Sequence, residues 1–478
     1  MAIKINKNTL DFDYAVRGKI PTRAAELKGQ GKKIYSCNIG NPQALGSKPI
    51  RSLRRILAMV EDPDKISRER KLKAANLENI LNPDELNFNW EIDKSEFMLE
   101  KMGKGTGPYT ASQGFAFVRD AVADFINKRD GHLTSSRANA NSIFLTDGAS
   151  VPIAMGYGAL ITNPNDGIMI SAPQYPLNSA EIVNNGGKII FYHPDPNNEW
   201  RLTEDTLMNS FLEAKSQGTN VVALNVTNPH NPLGTVMSKS ELELVRDFAL
   251  KANIPVVFAD EVYQDNTYGR EFVSFASVAG ESPLTIFSLH STSKGYLGEC
   301  GKRGGYMEIR NPGVVEGTNQ NIDEIMVKVA SKGLCSNTIG QLTTYFMVTP
   351  PTEADGEVFE YFNTQKNENL NNILTNANMA KQAFSDMGIK VRGDFGAMYL
   401  FGALEKGVDD ADYCMNLLED TGVCVVNGAG FGAPGYFRFA ALLGNEEMKE
   451  ALGKWTGFHA TYMEKHHNKN EIAIEKAN

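Results

Sequence analysis

Seven short apolar runs alternate with segments of helix length between residues 142 and 309, and this alternation limits the possible folds more than any other feature of the chain. The runs are 142–146 (SIFLT), 167–171 (GIMIS), 188–192 (KIIFY), 220–226 (NVVALNV), 255–260 (PVVFAD), 285–289 (TIFSL) and 304–309 (GGYMEI). Short runs rich in Ile, Val and Phe read as strands buried on both faces. Strands separated by helices form βαβ units, whose crossover helices cover a largely parallel sheet. The expectation is an α/β fold with a seven-stranded, mostly parallel sheet, helices on both of its faces, and a smaller α+β domain beside it.

The rest of the chain divides around this body. Residues 1–34 read as a polar arm with one helix at 22–28. Residues 35–100 open on the turn-rich CNIGNP at 37–42 and become charged and helical in pattern from 62 to 100, which suits the N-terminal part of a small domain. Residues 101–348 form the large, ligand-binding domain. After the Pro-rich break at 349–351, residues 349–478 read as the C-terminal part of the small domain. A long helix is expected at 357–387, strands at 389–391, 398–401, 423–426 and 436–439, and a fraying polar tail from Glu464.

With 478 residues, 42% of them hydrophobic, the chain can bury a large core. Its 48 Lys and Arg against 57 Asp and Glu leave a charge of −9, which offers no field to attract nucleic acid or anionic lipid. Five dispersed cysteines without a CxxC pair predict neither a disulfide framework nor a zinc cluster, and a cytoplasmic location. Neither a signal-peptide pattern at residues 1–11 nor an apolar run of about 20 residues is found, so a soluble protein with no membrane partner is expected. The seven histidines, His132, His466 and His467 among them, show no metal spacing.

In an open parallel sheet, ligands bind beyond the carboxyl ends of the strands, where loops converge and helix N-termini present free N–H groups. Five clusters fall at such ends: DGAS at 147–150, APQYP at 172–176, NPHNPLG at 228–234, Asp260 with Tyr263, and STSKG at 291–295. Each alone is ordinary turn chemistry. Together on one edge they mark a site. Lys294, preceded by the hydroxyls of Ser291 and Ser293, can form an imine with an aldehyde cofactor. Asp260 closes an apolar run, so its carboxylate needs a cationic or strongly donating partner, and a protonated pyridine nitrogen is one. Arg303 can fork onto a phosphate, with the helix N-terminus at 148–150 as a second phosphate ligand. GFGAPG at 430–435 matches a dinucleotide fingerprint, but the strand-like YFRF that follows excludes one, since that fingerprint must open a helix. The aromatic residues near Tyr361 and Tyr399 read as core.

Four motifs, NPxNPxG at 228–234, the Asp260/Tyr263 pair, SxSK with Arg303 nine residues on, and the late Arg438, resemble those of the class I/II aminotransferases of pyridoxal 5′-phosphate (PLP) fold type I. NIGNP at 38–42 with QALG at 43–46, PYTASQG at 108–114, LTDGAS at 145–150, PQYPL at 173–177, HSTSKGYLGECG at 290–301 and GAMY at 396–399 look like the alanine aminotransferase family within them. The resemblance runs from about Tyr14 to about Leu443.

It implies Lys294 as Schiff-base lysine and proton shuttle, Asp260 on the pyridinium nitrogen, and Tyr175 stacked on the ring as the third catalytic residue. Asn231 and Tyr263 would bond the ring oxygen, while Ala149, Ser150, Ser291, Ser293 and Arg303 would bind the phosphate. Arg438 would clamp the substrate α-carboxylate beside Gly40, with Asn231 near it. It further implies a homodimer in which Tyr109 reaches the neighbouring subunit's phosphate, and ping-pong transfer between L-alanine and 2-oxoglutarate. Leu233 stands where threonine is usual in the NPxNPTG loop, His230 where glycine is common, and Lys302 takes the variable place before Arg303. A lyase or decarboxylase of the same fold, or a transaminase using aspartate or an aromatic donor, shares these motifs. A PLP-binding regulatory protein would have lost Lys294 or Arg438, or gained a DNA-binding segment, and neither is seen.

Overall fold

The computed structural model describes residues 2–11, 18–75, 87–131 and 136–477, with side chains to residue 468. Tyr14, where the resemblance begins, His132 and residues 76–86 of the charged helical stretch lie outside the described residues.

All seven expected strands form one sheet: β1 Ile143–Leu145, β2 Asp166–Ser171, β3 Lys188–Tyr192, β4 Asn220–Thr227, β5 Val256–Asp260, β6 Thr285–Ser291 and β7 Gly305–Arg310. Their spatial order is β1-β7-β6-β5-β4-β2-β3. Strands β3, β2, β4, β5 and β6 pair in parallel, and only β7 runs antiparallel to its neighbours β6 and β1. Alternate residues of a strand point to opposite faces, and β5 shows the consequence. Val257 and Ala259 enter a core with Phe248 and Val245 of helix Lys239–Lys251, whereas Val256 and Phe258 enter the opposite core with Ile153 and Tyr157 of helix Ser150–Leu160. That second helix lies close to the sheet. A Cβ on its Gly156 would come within 2.5 Å of the Phe258 ring, so glycine is required there.

A second sheet is antiparallel throughout: β8 Lys390–Val391, β9 Tyr399–Ala403, β10 Val426–Asn427 and β11 Tyr436–Ala440, in the order β10-β11-β9-β8. The long helix Glu357–Asp386 packs on it, and Phe384, Phe437, Phe439 and Trp455 form its aromatic centre. Tyr35–Ser36 pairs in parallel with Val423–Cys424, which fastens the N-terminal stretch to this body.

Three expectations need correction. The run 423–426 is not one strand, because Val423–Cys424 pairs with Tyr35–Ser36 while Val426–Asn427 joins the second sheet. The arm helix runs Lys19–Gly29 rather than 22–28, because Pro21 is tolerated in a first turn and Ile20, Ala24 and Leu27 bury one stripe. The tail from Glu464 continues the helix Asn445–Ala477, which Trp455, Phe458 and Met463 anchor to the core. The GFGAPG segment contributes a short 3-10 turn, Gly428–Phe431, and then strand β11. All five cysteines are free thiols. Among the described residues no helix is long and apolar enough to cross a membrane.

Candidate active site

A cavity of about 270 Å³ opens at the carboxyl ends of β4, β5 and β6, facing β9 and β11 of the second sheet. Gly40, Ala149, Ser150, Tyr175, Asn231, Asp260, Tyr263, Ser291, Ser293, Lys294, Arg303 and Arg438 all line it. Tyr109 does not; its side chain is 77% exposed. A larger groove of about 630 Å³ between helices Asp410–Thr421 and Asn445–Ala477 is edged by Asp409, Asp412 and Asp420 and brings together none of these groups.

One end of the cavity is built for an anion. Ser150 opens the helix Ser150–Leu160, whose N-terminal N–H groups and dipole favour negative charge. Gly148, at φ +80°, leaves room for Arg303, since a Cβ there would lie 2.6 Å from Nη2. Arg303 Nη1 donates to the Cys300 carbonyl (2.9 Å) and Nη2 to the Asp147 carbonyl (2.7 Å), which fixes the guanidinium beside the helix terminus. Ser291 Oγ donates to the Gly304 carbonyl and accepts from the Ser293 N–H, whereas the Ser293 hydroxyl is buried without a partner.

Asp260 ends β5 on the cavity floor. Its side chain borders the cavity, but Oδ1 is closed off and has no hydrogen-bond partner. Burial pushes its carboxyl up to about 6, against the Val262 N–H and the charge of Lys294. Among the described residues no cationic side chain is hydrogen-bonded to this carboxylate. Lys294 follows β6 and donates from Nζ to the Gly40 carbonyl at 2.6 Å. Gly40 has to be glycine, because a Cβ would sit 2.0 Å from the Tyr399 hydroxyl and 3.2 Å from Lys294 Nζ.

Arg438, on β11, is 2% exposed. Nη1 donates to Asn231 Oδ1 (3.1 Å), Nη2 donates to the Asn38 carbonyl (2.5 Å), and Nε has no partner. Its guanidinium lies between the Tyr399 ring (4.4 Å) and the Phe431 ring (4.8 Å). A buried cation bonded only to neutral oxygens is poised for an anion.

Tyr399, read from sequence as core, is the site residue that reading missed. Its hydroxyl is 3.3 Å from that of Tyr263. The register could have found it: Phe401 lies opposite Arg438 across β9 and β11, so Tyr399, two residues away, shares the face of Arg438. The unusual loop residues point elsewhere. Leu233 packs with Trp200, Phe401 and Phe431 outside the cavity wall, and burial pushes the neutral His230 ring down to about 3.

An anion cradle with its arginine, a carboxylate without an ion-pair partner, a lysine amine held by a backbone carbonyl and a buried arginine fit PLP together with an amino acid, group for group. Fold and site thus define a PLP-dependent enzyme of fold type I. More narrowly, the chain belongs to the aminotransferase class I and II family, whose model matches residues 90–454. A probable mitochondrial alanine aminotransferase of Dictyostelium discoideum is 36% identical, the match covering 97% of this chain and 89% of that one. Glutamate–glyoxylate aminotransferase 1 of Arabidopsis thaliana is 35% identical over 97% of this chain and 96% of that one. Among solved structures, an alanine aminotransferase from Pyrococcus furiosus shares the fold with a TM-score of 0.75 at 22% identity, covering 96% of this chain and 100% of that one.

Proposed function

We propose that this aminotransferase moves the amino group of L-alanine to 2-oxoglutarate in two half-reactions at the one cavity. The observation that carries the reading is the pairing of Lys294 with Arg438 across it. An amino acid whose carboxylate is held by Arg438 presents its nitrogen and Cα toward the lysine amine.

When bound, PLP supplies an aldehyde carbon that captures amines and a ring that takes up the electron pair released at Cα. Lys294 would hold the cofactor, and its amine, when not bound to it, would carry the Cα proton. Asp260 keeps the ring nitrogen protonated, and Asn231 and Tyr263 bind the ring oxygen. Tyr175 covers the ring face. Ala149 and Ser150 at the helix terminus, with Ser291, Ser293 and Arg303, hold the phosphate. Arg438 holds the substrate carboxylate, and Gly40 keeps the backbone close to the lysine. A small apolar substituent suits the Ile39 and Leu177 walls, and relatives named for alanine or for glutamate with glyoxylate support a donor pair of alanine and glutamate.

The test adds amino acids singly to the loaded protein and follows its visible band, which transamination bleaches. Alanine and glutamate are expected to bleach it, with one pyruvate formed per site from alanine, which separates transamination from decarboxylation. Pyruvate should restore the glutamate-bleached form. Restoration by glyoxylate and not by pyruvate would move the assignment to a glyoxylate acceptor, and bleaching by aspartate or an aromatic amino acid alone would remove alanine.

The same reading includes domain divisions after residues 34, 100 and 348, and a homodimer, for which the exposure of Tyr109 is the support. It retains a cytoplasmic location on the strength of the unpaired thiols; cell fractionation tests this against the mitochondrial naming of the Dictyostelium relative.

A further inference from the structure

Tyr399 touches all three working parts of the cavity. Its hydroxyl is 3.3 Å from the Tyr263 hydroxyl, and its ring lies under the Arg438 guanidinium at 4.4 Å. A Cβ on Gly40 would meet both the Tyr399 oxygen, at 2.0 Å, and Lys294 Nζ, at 3.2 Å, so the bare glycine is what lets the two share that space. Tyr399 is 2% exposed and its fold partners are distant in sequence, since β9 pairs with β11. Its side chain lines the cavity.

We propose that Tyr399 is a positioning residue for the transamination: its hydroxyl donates to Tyr263, so that the single Tyr263 proton is free for the cofactor's ring oxygen, and its ring holds Arg438 flat. The inference rests on the function proposed above. A phenol has one proton, so Tyr263 can serve the ring oxygen only if Tyr399 is the donor of their mutual bond. The chain Tyr399–Tyr263–ring oxygen is then cooperative, each bond polarising the next.

The surrounding charges favour that direction. Tyr399 faces Lys294, Arg438, Cys300 and Tyr263, and Tyr263 faces Asp260, Arg438 and Tyr399. Burial pushes Tyr399 up, but the positive charges of Lys294 and Arg438 oppose it and help bring the phenol below its usual range. Burial drives Tyr263 well above that range. The more acidic phenol is the better donor.

The test is a pH titration of the visible band of the loaded protein. Donation to the ring oxygen favours the deprotonated Lys294 linkage. Tyr399→Phe, which keeps the ring and removes the donor, should therefore raise the midpoint by about half a pH unit. In a Tyr263→Phe background the same change should shift nothing, which a general structural effect would not produce. Kinetics read the second role: Tyr399→Phe lowers kcat with KM for alanine nearly kept, whereas Tyr399→Leu, which loses the ring under Arg438, raises KM about fivefold. An unshifted midpoint in Tyr399→Phe overturns the inference, as does an equal shift with Tyr263 absent. An unchanged KM in Tyr399→Leu removes the Arg438 role. Wild-type protein whose band neither alanine nor glutamate bleaches overturns the functional reading, independently of these midpoints.

Discussion

Replacing Asp260 by Asn should stabilise the empty protein while disabling the loaded one. In the fold the carboxyl is pushed up to about 6, first by burial, against roughly 3.9 in an unfolded chain. A group whose folded pKa is raised binds its proton more tightly when folded, so ionisation costs stability as pH rises. The penalty is absent below about pH 4, grows between about pH 4 and 6, and is constant above. A gap of roughly two units sets a ceiling of about 3 kcal/mol. Water in the cavity that Asp260 borders relieves part of it, which leaves about 1–2 kcal/mol. Asn keeps an oxygen for the Val262 N–H, which already bonds this side chain, and carries no charge to desolvate. Denaturant unfolding of the PLP-free form should show the variant more stable by that amount at pH 8 and equal to wild type near pH 4. The loaded variant should lose the ionic partner of the ring nitrogen, and with it roughly a hundredfold or more in the rate of band bleaching by alanine. A variant no more stable at pH 8, or one that turns over near the wild-type rate, would refute the account of an unpaired carboxylate awaiting a cation.

Three further outcomes are expected. Borohydride reduction of the loaded protein should fix the pyridoxyl group on Lys294, read by peptide mass spectrometry, and Lys294→Ala should lose at least a thousandfold in turnover; a label on another lysine refutes the assignment. Arg438→Gln should raise KM for alanine by roughly a hundredfold, the scale of a lost charge-assisted pair, and leave the visible band in place; an unchanged KM would remove the carboxylate role. Light scattering should give a two-fold homodimer, and Tyr109→Phe should weaken PLP binding about tenfold; a monomer fully active at nanomolar concentration contradicts both.

The large sheet was legible because its strands are buried on both faces, so β2, β6 and β7 have no exposed position to interrupt the apolar run. The residues that this sheet brings to the cavity were legible for a related reason. Asp260, Ser291 and Lys294 stand at or just beyond carboxyl ends, where a sheet of this kind opens to ligands. Arg438 came only from the family resemblance, since it sits inside an apolar strand. Tyr399 stayed hidden because its meaning depends on pairing β9 with β11, which no local pattern displays. The Gly40 carbonyl reaches Lys294 from 254 positions away, a contact that periodicity cannot register. The tail helix was underestimated because its polar residues from 464 on offer no periodic stripe, while the anchoring Trp455 and Phe458 lie upstream.

The charges that are buried or partly buried in the molecule fall into two groups that behave differently. Behind the sheet, Arg310 pairs with Glu308 at 2.6 Å and approaches Asp130 at 3.7 Å, while Arg129 pairs with Asp130 at 2.7 Å, so that group largely neutralises itself. In the cavity, Arg438, Asp260 and Arg303 stand apart, and none of the three forms an ion pair with another side chain among the described residues. Leaving charges unmatched costs stability, which a chain tolerates where a ligand restores the balance. The two guanidiniums and the one carboxylate call for a ligand set carrying two anions and one cation. A phosphate at Arg303, a pyridinium at Asp260 and a carboxylate at Arg438 meet that requirement, and the lysine amine stands among them where an aldehyde and an amino group would meet.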